Sequence, residues 1–281
     1  MKIVKTIAEI RENIKRSRSQ GLTVGLVPTM GYLHEGHLTL MRECKKKCDL
    51  TVVSIFVNPL QFGPNEDFTK YPRDLERDAS LTESVGVDLL FCPEPEEVYP
   101  ANYSTFVEVE RLTDALCGKS RPGHFRGVTT VVNKLFNIVQ PDYAFFGQKD
   151  AQQVLVIKKM VRDLLMDLEI VIVPIVREID GLALSSRNVY LSREEHRAAL
   201  VLSLSLSMAQ DEIKSGERDV LILKNKVRQM ISAESLAKID YVEILSLPDL
   251  EEKKSLTGPA LLALAVIFGK TRLIDNVVLE V

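Results

Sequence analysis

Residues 23–37 read TVGLVPTMGYLHEGH, and this stretch decides the fold of the chain. Its first five residues form a short apolar run, which is typical of a buried parallel strand. Pro28 and Gly31 interrupt that run, and apolar residues at helical spacing begin at Leu38. The stretch therefore predicts a strand, a turn and a helix that begins near Gly36.

His34 and His37 lie three residues apart at the predicted start of this helix. The first turn of a helix carries unpaired N–H groups and about half a positive charge, so it attracts phosphate. Imidazole rings at that position can donate hydrogen bonds to a phosphoryl oxygen. A single histidine there is more typical of a helix cap or a packed ring than of a catalyst, but the pair with Gly36 between them favours a nucleotide site.

A zinc site is the alternative for the histidines, because Cys44 and Cys48 follow them. A helix rises about 1.5 Å per residue, which places Cys44 roughly 10 Å beyond His37. Zinc ligands all lie within about 2.0–2.3 Å of the ion, so this spacing excludes a shared site. His37, Met41, Cys44 and Cys48 instead form a stripe at helical spacing, which predicts that the thiols pack in the core.

Composition places the chain among ordinary globular proteins. Its 281 residues are 46% hydrophobic and 27% charged, with a net charge of −3, which allows one large domain or two smaller ones. The slight acidity gives no reason to expect a nucleic-acid partner. Residues 260–268 are the longest apolar run, too short for a membrane span, and no signal-peptide pattern is visible. Four cysteines without CxxC spacing predict reduced thiols and a cytoplasmic location.

Strand-like and helix-like segments alternate through residues 1–180. The predicted strands cover residues 23–27, 51–57, 88–92, 142–146 and 169–176, and the predicted helices cover residues 7–19, 36–47, 75–85, 127–139 and 150–166. This alternation predicts an α/β fold, a Rossmann-like doubly wound parallel sheet.

Residues 181–281 have a different pattern. Helical stretches at 192–215 and 219–233 precede three strands, predicted at 239–245, 261–268 and 272–281, with no long helix between them. This predicts a smaller C-terminal α+β domain with an antiparallel sheet. The boundary is expected near Asp180-Gly181, a turn-forming pair.

Three more polar stretches follow predicted strands. They are residues 58–63 (NPLQFG), 147–150 (GQKD) and 184–188 (LSSRN). In doubly wound sheets, ligands bind beyond the carboxyl ends of the strands. We therefore expect these stretches to reach the same edge of the sheet as the two histidines.

The side chains in these stretches suit a polyphosphate and a small acid. Lys149 supplies a mobile positive charge, Ser185 and Ser186 can donate to phosphate oxygens, and Arg187 can bind two oxygens at once. Asp150 can cap the next helix or hold a cation. A plain helix cap at 150 and a serine turn before a solvated arginine remain alternatives.

Amide side chains are the candidates for substrate recognition. Gln61 offers both a donor and an acceptor, which suits hydroxyl and carboxylate groups, although an ordinary loop would explain it as well. On the helix that follows residues 147–150, either Gln152 or Gln153 should face the pocket. The basic loop at residues 118–127 is either a lid over an anion or a solvated loop.

Together these stretches resemble the pantothenate synthetase family, ATP-dependent ligases of the HxGH nucleotidyltransferase superfamily that join pantoate to β-alanine. The match runs in order through residues 28–37, 58–62, 121–127, 147–150, 185–188 and 272–276. The HxGH element alone would indicate only the superfamily, whereas its combination with the NPxQF, KD and SSR elements is far more specific. Position 184 is Leu where many relatives have Met, and only a main-chain contact is expected there.

The resemblance implies a reaction in two steps. The pantoate carboxylate attacks the α-phosphate of ATP, which gives pantoyl adenylate and pyrophosphate with Mg²⁺; the amine of β-alanine then attacks the adenylate and releases AMP. In relatives, the residue corresponding to His37 is assigned as a proton donor. We interpret its role as stabilising charge on the phosphoryl oxygens, with help from His34, while Lys149 bridges phosphates.

The resemblance also implies which residues hold each ligand. The implied ATP-binding residues are Met30, Gly31, Tyr32, Leu33, His34, Glu35, Gly36, His37, Gly147, Gln148, Lys149, Asp150, Val176, Leu184, Ser185, Ser186 and Arg187. Gln61 and Gln153 are expected to bind pantoate, with Gln61 also near β-alanine. Asp150 is the candidate Mg²⁺ ligand, and a homodimer is expected.

Two other functions fit parts of the sequence. A nucleotidyltransferase that moves AMP to a phosphorylated acceptor would need a cationic acceptor site, whereas Gln61 and Gln153 suit a small acid. A nucleotide-sensing domain would bind ATP without turnover and would need neither the glutamines nor residues 185–187.

Overall fold

The computed structural model describes the chain except for residues 64–67. The described residues form two compact units. The first contains Met1–Gln148 and Gln152–Pro174, and the second contains Lys149–Ala151 and Ile175–Val281. The predicted domains, 1–180 and 181–281, stay a prediction, since these units are defined by compactness alone.

The first unit contains a six-stranded sheet in which every pair of neighbours is parallel. Its strands are β1 (Lys2–Val4), β2 (Val24–Thr29), β3 (Leu50–Ile55), β4 (Leu89–Phe91), β5 (Tyr143–Gly147) and β6 (Glu169–Val173). The strand order is β1-β4-β3-β2-β5-β6. The prediction of a Rossmann-like parallel sheet is confirmed.

Helices connect these strands. They are α1 (Ile7–Arg18), α2 (Glu35–Lys47), α3 (Leu75–Ser84), α4 (Pro95–Val98), α5 (Leu116–Ser120), α6 (His124–Val139) and α7 (Ala151–Asp163). Parallel strands need such crossover connections because the chain must return to the same end of the sheet before each new strand.

The packing role predicted for the thiols is confirmed. Cys44 and Cys48 are buried, and a Cβ atom on Gly25 of β2 would lie only 2.3 Å from the sulfur of Cys44. Glycine is therefore required at position 25 so that α2 can approach the strand closely. Met41 is also fully buried, whereas His37 at the start of the stripe is half-buried.

The order of the strands reverses at β2. From β2 the chain builds outward through β3 and β4 on one side, and then through β5 and β6 on the other. A ligand in an open sheet of this kind binds where the order reverses, beyond the carboxyl ends of the strands. Here those ends are Thr29 and Gly147, so the HxGH stretch and the 147–150 stretch both begin at the switch point.

Several elements and boundaries differ from the sequence-based expectation. β1 was not predicted, because a three-residue strand carries too little periodicity to recognise; it pairs with β4. β6 ends at Val173 rather than residue 176, and Pro174 follows it with no N–H to continue the ladder. The helix predicted at 150–166 begins at Ala151, after a 3₁₀ turn over Gln148–Asp150.

The second unit contains a three-stranded antiparallel sheet with β8 in the centre. Its elements are α8 (Arg193–Ala199), α9 (Val201–Lys214), α10 (Val220–Ser232), β7 (Ala237–Ser246), β8 (Ala260–Phe268) and β9 (Thr271–Leu279). The helical stretch predicted at 192–215 is two helices that meet at Leu200. Buried side chains of all three helices and all three strands share one apolar cluster, which confirms the expected α+β character.

Across residues 1–63 and 68–281, no helix combines the length and apolar character needed to cross a lipid bilayer.

Candidate active site

Both histidines of the HxGH stretch cap the N-terminus of α2. Nδ1 of His34 accepts a hydrogen bond from the Gly36 N–H at 3.2 Å, and Nδ1 of His37 accepts one from the His34 N–H, also at 3.2 Å. The two rings contact each other at a tilt of 42°, with their centroids 4.0 Å apart. The cap considered as an alternative for these residues is therefore present, and it orients the rings.

The cap also determines which ring nitrogen carries the proton. A nitrogen that accepts a hydrogen bond is unprotonated, so in each neutral ring the proton lies on Nε2. Each imidazole therefore offers an Nε2–H donor at the positive end of the α2 dipole. Two neutral donors at a helix N-terminus suit a developing negative charge on a phosphoryl oxygen.

The turn before the histidines is held by Asp78 of α3. Its carboxylate accepts hydrogen bonds from the Tyr32 and Leu33 N–H groups, each at 2.7 Å. These bonds satisfy a tight turn in which both Gly31 and Tyr32 have positive φ. Asp78 is only 1% exposed, and desolvation raises the pKa of its carboxyl above the usual range in spite of the two donors.

Asp78 was missed in the sequence analysis. The sequence does contain a signal for it: Asp78 is an acidic residue next to Ala79, on the face of α3 that also buries Thr82. A charged side chain on the inward face of a helix is costly unless it is hydrogen-bonded, so it marks a structural or functional contact.

We expect Asp78→Asn to lower the free energy of unfolding by about 1–2 kcal/mol at neutral pH. The amide can accept from only one of the two N–H groups and turns a donor toward the other, while removal of the desolvated charge offsets part of the loss. Urea unfolding measures the change. Asp74→Asn is the matched control, because Asp74 caps the same helix and asparagine caps equally well. Equal stability of the two variants would contradict this role for Asp78.

Glu35 lies at the first position of α2, and its exposed carboxylate pairs with Arg42 on the same helix. Its side chain is therefore paired within α2 in the structure. Met30 at the end of the β2 loop lies beside Gln61, with its sulfur 3.1 Å from Nε2 of Gln61. The structure thus brings the HxGH stretch and the NPxQF stretch together.

The NPxQF stretch forms a 3₁₀ turn over Pro59–Gln61 that is capped by Asn58. This turn packs directly on the start of α6, where a Cβ atom on Gly127 would lie 2.3 Å from the Leu60 carbonyl oxygen. Glycine is required at position 127 because any side chain would push the turn away.

Two residues of the basic loop hold the same turn. The ring Nδ1 of His124 lies 2.8 Å from the Gln61 carbonyl oxygen, and Arg121 donates to that oxygen at 3.3 Å. Arg121 also lies 3.1 Å from Nε2 of His124. The loop at 118–127 therefore supports Gln61. This role differs from both sequence-based hypotheses for the loop, a lid over an anion and a solvated loop.

The paired glutamines on α7 differ in their surroundings. Gln152 is buried, and its amide donates to the Leu112 and Ala115 carbonyls at 2.8 Å each, so it anchors the segment before α5. Gln153 is half-buried at the next position of the helix. The choice of Gln153 for substrate binding stays a prediction, and Gln152 has a structural role.

In the second unit, Lys149 lies in a desolvated and strongly charged environment. Desolvation lowers the pKa of its ammonium below the usual value for lysine, an effect that Arg187 reinforces and that Asp150 and Asp275 oppose. The Lys149 carbonyl accepts a hydrogen bond from the Asn276 side chain at 2.8 Å. Lys149 and Arg187 therefore lie close enough for their charges to interact.

The network behind Lys149 was also missed. Asp275 precedes Asn276 on β9 and is 1% exposed at its side chain, where it binds Arg177 through two hydrogen bonds of 2.7 and 3.0 Å. Residues 272–276 were noted only as part of the family resemblance. Their spacing on a strand could not show that they reach a loop more than a hundred residues earlier.

The SSR stretch follows a hairpin. Within this hairpin the Leu184 N–H donates to the Val176 carbonyl at 3.0 Å. The hydroxyl oxygen of Ser185 then accepts from the Arg187 N–H and caps a 3₁₀ turn over Ser186–Tyr190. The serine turn considered as an alternative is therefore present, and the Ser185 hydroxyl proton is still available for donation.

One other cluster in the second unit has metal-ligating side chains. Single ligand atoms of Glu178, Asp180 and His196 lie within 4.8 Å of one another. A carboxylate oxygen of Asp180 lies 2.8 Å from Nε2 of His196, and this contact lowers the pKa of the Asp180 carboxyl. The Glu178 carboxylate accepts a hydrogen bond from the Asn188 side chain at 2.7 Å. These bonds tie the hairpin to α8, which is a structural role.

Comparison with known proteins agrees with this geometry. The family model described as pantoate-beta-alanine ligase matches residues 2–278. A pantothenate synthetase from Pelotomaculum thermopropionicum is 65% identical over 279 residues, which cover 99% of this chain and 99% of that protein.

Solved structures agree as well. The pantothenate synthetase from Thermus thermophilus has a TM-score of 0.94 and 47% identity, with 99% of each chain covered. The pantoate-beta-alanine ligase from Francisella tularensis, solved in complex with beta-gamma ATP and beta-alanine, has a TM-score of 0.79 and 36% identity, with 99% of this chain and 97% of that chain covered. The chain belongs to the pantoate–β-alanine ligase family.

Proposed function

We propose that this family member joins pantoate to β-alanine through an enzyme-bound pantoyl adenylate. In the first step a pantoate carboxylate oxygen bonds to the α-phosphorus of ATP, and pyrophosphate leaves. In the second step the β-alanine amine bonds to the carboxyl carbon, AMP leaves with the electron pair of the C–O bond, and the amine loses a proton. No covalent bond to the protein is required at either step.

The observation that carries this proposal is the oriented histidine pair. Both rings use Nδ1 as an acceptor, so both offer Nε2–H donors at the N-terminus of α2, next to the switch point of the sheet. In the proposed reaction His37 donates to an α-phosphate oxygen with help from His34, and the negative charge that develops there is stabilised. Residues 30–33, 35 and 36 contact the nucleotide mainly through their backbone.

The polyphosphate is assigned to Lys149, Ser185, Ser186 and Arg187. The interaction between Lys149 and Arg187 supports this assignment, because two cations brought close together are stabilised by a bound polyanion. Gly147 has no packing reason to be glycine, since a Cβ atom there would meet nothing within 4 Å, which supports close approach of a ligand to residues 147 and 148. Val176 and Leu184 are assigned to the adenine through their backbone.

Gln61 and Gln153 are assigned to pantoate, and Gln61 also to β-alanine. The position of Gln61 beside Met30 supports this assignment, since Met30 begins the stretch assigned to ATP. An amide N–H donor suits the carboxylate and hydroxyl oxygens of a small hydroxy acid.

Mg²⁺ is proposed to neutralise the phosphates when it is bound. The exposed carboxylate of Asp150 fits it, because Mg²⁺ prefers one or two carboxylates together with substrate phosphates. We assign no other protein ligand.

We also propose a cytoplasmic homodimer. The buried thiols of Cys44, Cys48 and Cys92 suit a reducing compartment, and the family resemblance implies the dimer. Sedimentation equilibrium should give twice the mass of one chain, and a single-chain mass would contradict the dimer.

ATP–pyrophosphate exchange tests the adenylate directly. We expect exchange of labelled pyrophosphate into ATP that requires pantoate and does not require β-alanine, and AMP release only after β-alanine is added. Exchange that requires a phosphorylated acceptor would indicate the nucleotidyltransferase alternative. Exchange that requires both substrates together would contradict a separate adenylate step.

A further inference from the structure

The side-chain amide of Asn58 has one possible orientation. Its Nδ2 lies 3.0 Å from the Gly127 carbonyl oxygen, which can only accept, and its Oδ1 lies 3.4 Å from the Leu60 N–H, which can only donate. Exchanging the two ends of the amide would place an oxygen against the Gly127 carbonyl oxygen and an N–H₂ group against the Leu60 N–H. Asn58 is 1% exposed, so water cannot replace either contact.

The orientation of the Asn58 amide in turn fixes that of the Gln61 amide. The second N–H of Asn58 lies 3.1 Å from Oε1 of Gln61, so that oxygen accepts. The Nε2 end of Gln61 must then lie on the opposite side, toward Met30. Gln61 is thereby held with its donor end away from Asn58.

Tyr99 completes the chain of contacts. Its hydroxyl donates to Oδ1 of Asn58 at 2.7 Å, the shortest hydrogen bond that Asn58 makes in the described part of the chain. Desolvation raises the pKa of the Tyr99 phenol, so the hydroxyl keeps its proton throughout the neutral range. The geometry therefore makes the Tyr99 hydroxyl a permanent donor to the acceptor end of Asn58.

Packing holds the Tyr99 ring independently of its hydroxyl. The ring contacts Phe56 and Tyr103, with centroid distances of 6.0 and 5.1 Å. The ammonium of Lys134 lies 5.1 Å from the Tyr99 ring and also donates to the Val98 carbonyl. Phenylalanine at position 99 should therefore keep the ring in place and remove only the hydroxyl.

We propose that Tyr99 is a positioning residue for the acid substrate, acting through Asn58 to hold Gln61 with its N–H₂ group toward pantoate. The proposal rests on the assignment of Gln61 to pantoate. A reversed Gln61 amide would turn an oxygen toward the carboxylate, which repels it. Tyr99 lies on the segment after α4, outside every stretch assigned to a substrate.

The test is Tyr99→Phe, with separate KM values for pantoate, ATP and β-alanine. We expect the KM for pantoate to rise about three- to tenfold, because one hydrogen bond that fixes the amide orientation is lost. The KM for ATP should stay within twofold of the original. Tyr103→Phe is the matched control, because Tyr103 packs against Tyr99 and its hydroxyl lies beside Thr130, whereas the Tyr99 hydroxyl is the one that donates to Asn58. An equal effect of both variants would overturn the proposal.

A double-mutant cycle shows whether the hydroxyl acts through Gln61. Gln61→Met keeps the side-chain length and removes the amide, so Tyr99→Phe should have no further effect on the pantoate KM in that background. An unchanged effect of Tyr99→Phe there would overturn the positioning role. If Gln61→Met leaves the pantoate KM unaltered, the assignment of Gln61 to pantoate fails instead.

Gln61→Glu tests the orientation without any change at Tyr99. Glutamate retains an oxygen for Asn58 and replaces the donor end by a second oxygen, so the pantoate KM should rise more than in Gln61→Met. An equal or smaller rise than in Gln61→Met would show that the donor end of Gln61 does not face the acid. This comparison decides the orientation even if Tyr99→Phe does not fold.

Discussion

Replacing His37 with alanine should slow pantoate-dependent ATP–pyrophosphate exchange by about 10²-fold or more, because the donor to the α-phosphate oxygen is lost. The same change removes the Nδ1 acceptor that caps α2, so the free energy of unfolding should fall by about 0.5–1 kcal/mol. Stopped-flow or exchange kinetics measure the first effect, and urea unfolding measures the second.

Asparagine and glutamine separate the two roles of the ring. In His37→Asn the amide oxygen can occupy the place of Nδ1, so the cap and the stability should be retained while exchange remains as slow as in His37→Ala. In His37→Gln the amide nitrogen can reach the place of Nε2, so part of the exchange rate should return. Full activity of His37→Asn would show that His37 acts only as a cap.

Replacing Lys149 with methionine should lower kcat/KM for ATP by about 10²–10³-fold, since methionine keeps the length of the side chain and removes the charge that bridges the phosphates. Stability should be unchanged or slightly higher, because a desolvated cation is removed. Steady-state kinetics and thermal unfolding measure the two effects. Lys158→Met is the matched control on the exposed side of α7 and should change neither. A similar loss in both variants would contradict a phosphate contact by Lys149.

The pH dependence of kcat/KM for ATP gives a second test of the phosphate contact by Lys149. Lysine binds phosphate in its protonated form, so kcat/KM for ATP should fall as the pH rises through the pKa of Lys149 in the free enzyme. Since desolvation lowers that pKa, the fall should begin at a lower pH than for an ordinary lysine. Lys149→Arg should move the fall to higher pH, because arginine stays charged. An alkaline limb that is identical in Lys149→Arg would show that another group titrates.

Local periodicity was sufficient to predict most of the fold. The run at residues 23–27 and the helical spacing after Leu38 predicted β2 and α2 within one or two residues. Buried parallel strands are continuous apolar runs, and the helices between them have one apolar face, so both are visible in a window of a dozen residues. Errors occurred at ends, such as β6, and at elements too short to show a period, such as β1.

The motifs supplied the candidate residues of the site but not the contacts that orient them. His34 and His37 were recognised as a pair at a helix start, yet the exchange of hydrogen bonds between backbone and rings is a matter of side-chain rotamers. From the sequence alone, a helix cap and a phosphate donor are both possible roles for these rings. The structure shows the cap, and the cap selects the ring nitrogen that can donate.

The distant partners of the supporting residues could not be predicted from local patterns. Asp78, Tyr99 and Asn276 act on residues that lie 45, 41 and 127 positions away along the chain. Such contacts depend on how strands and helices are arranged in space, and no local pattern encodes them.

The sequence by itself determined the alternating architecture, the HxGH, NPxQF, KD and SSR stretches, and through them the family of this chain. These features follow from residue type and spacing over short distances. Only the tertiary structure decided that β2 is the point where strand order reverses, and that Asn58 contacts both Gln61 and Tyr99. The physical reason is that a hydrogen bond in a buried site requires a matching partner in space, and folding supplies that partner from anywhere in the chain.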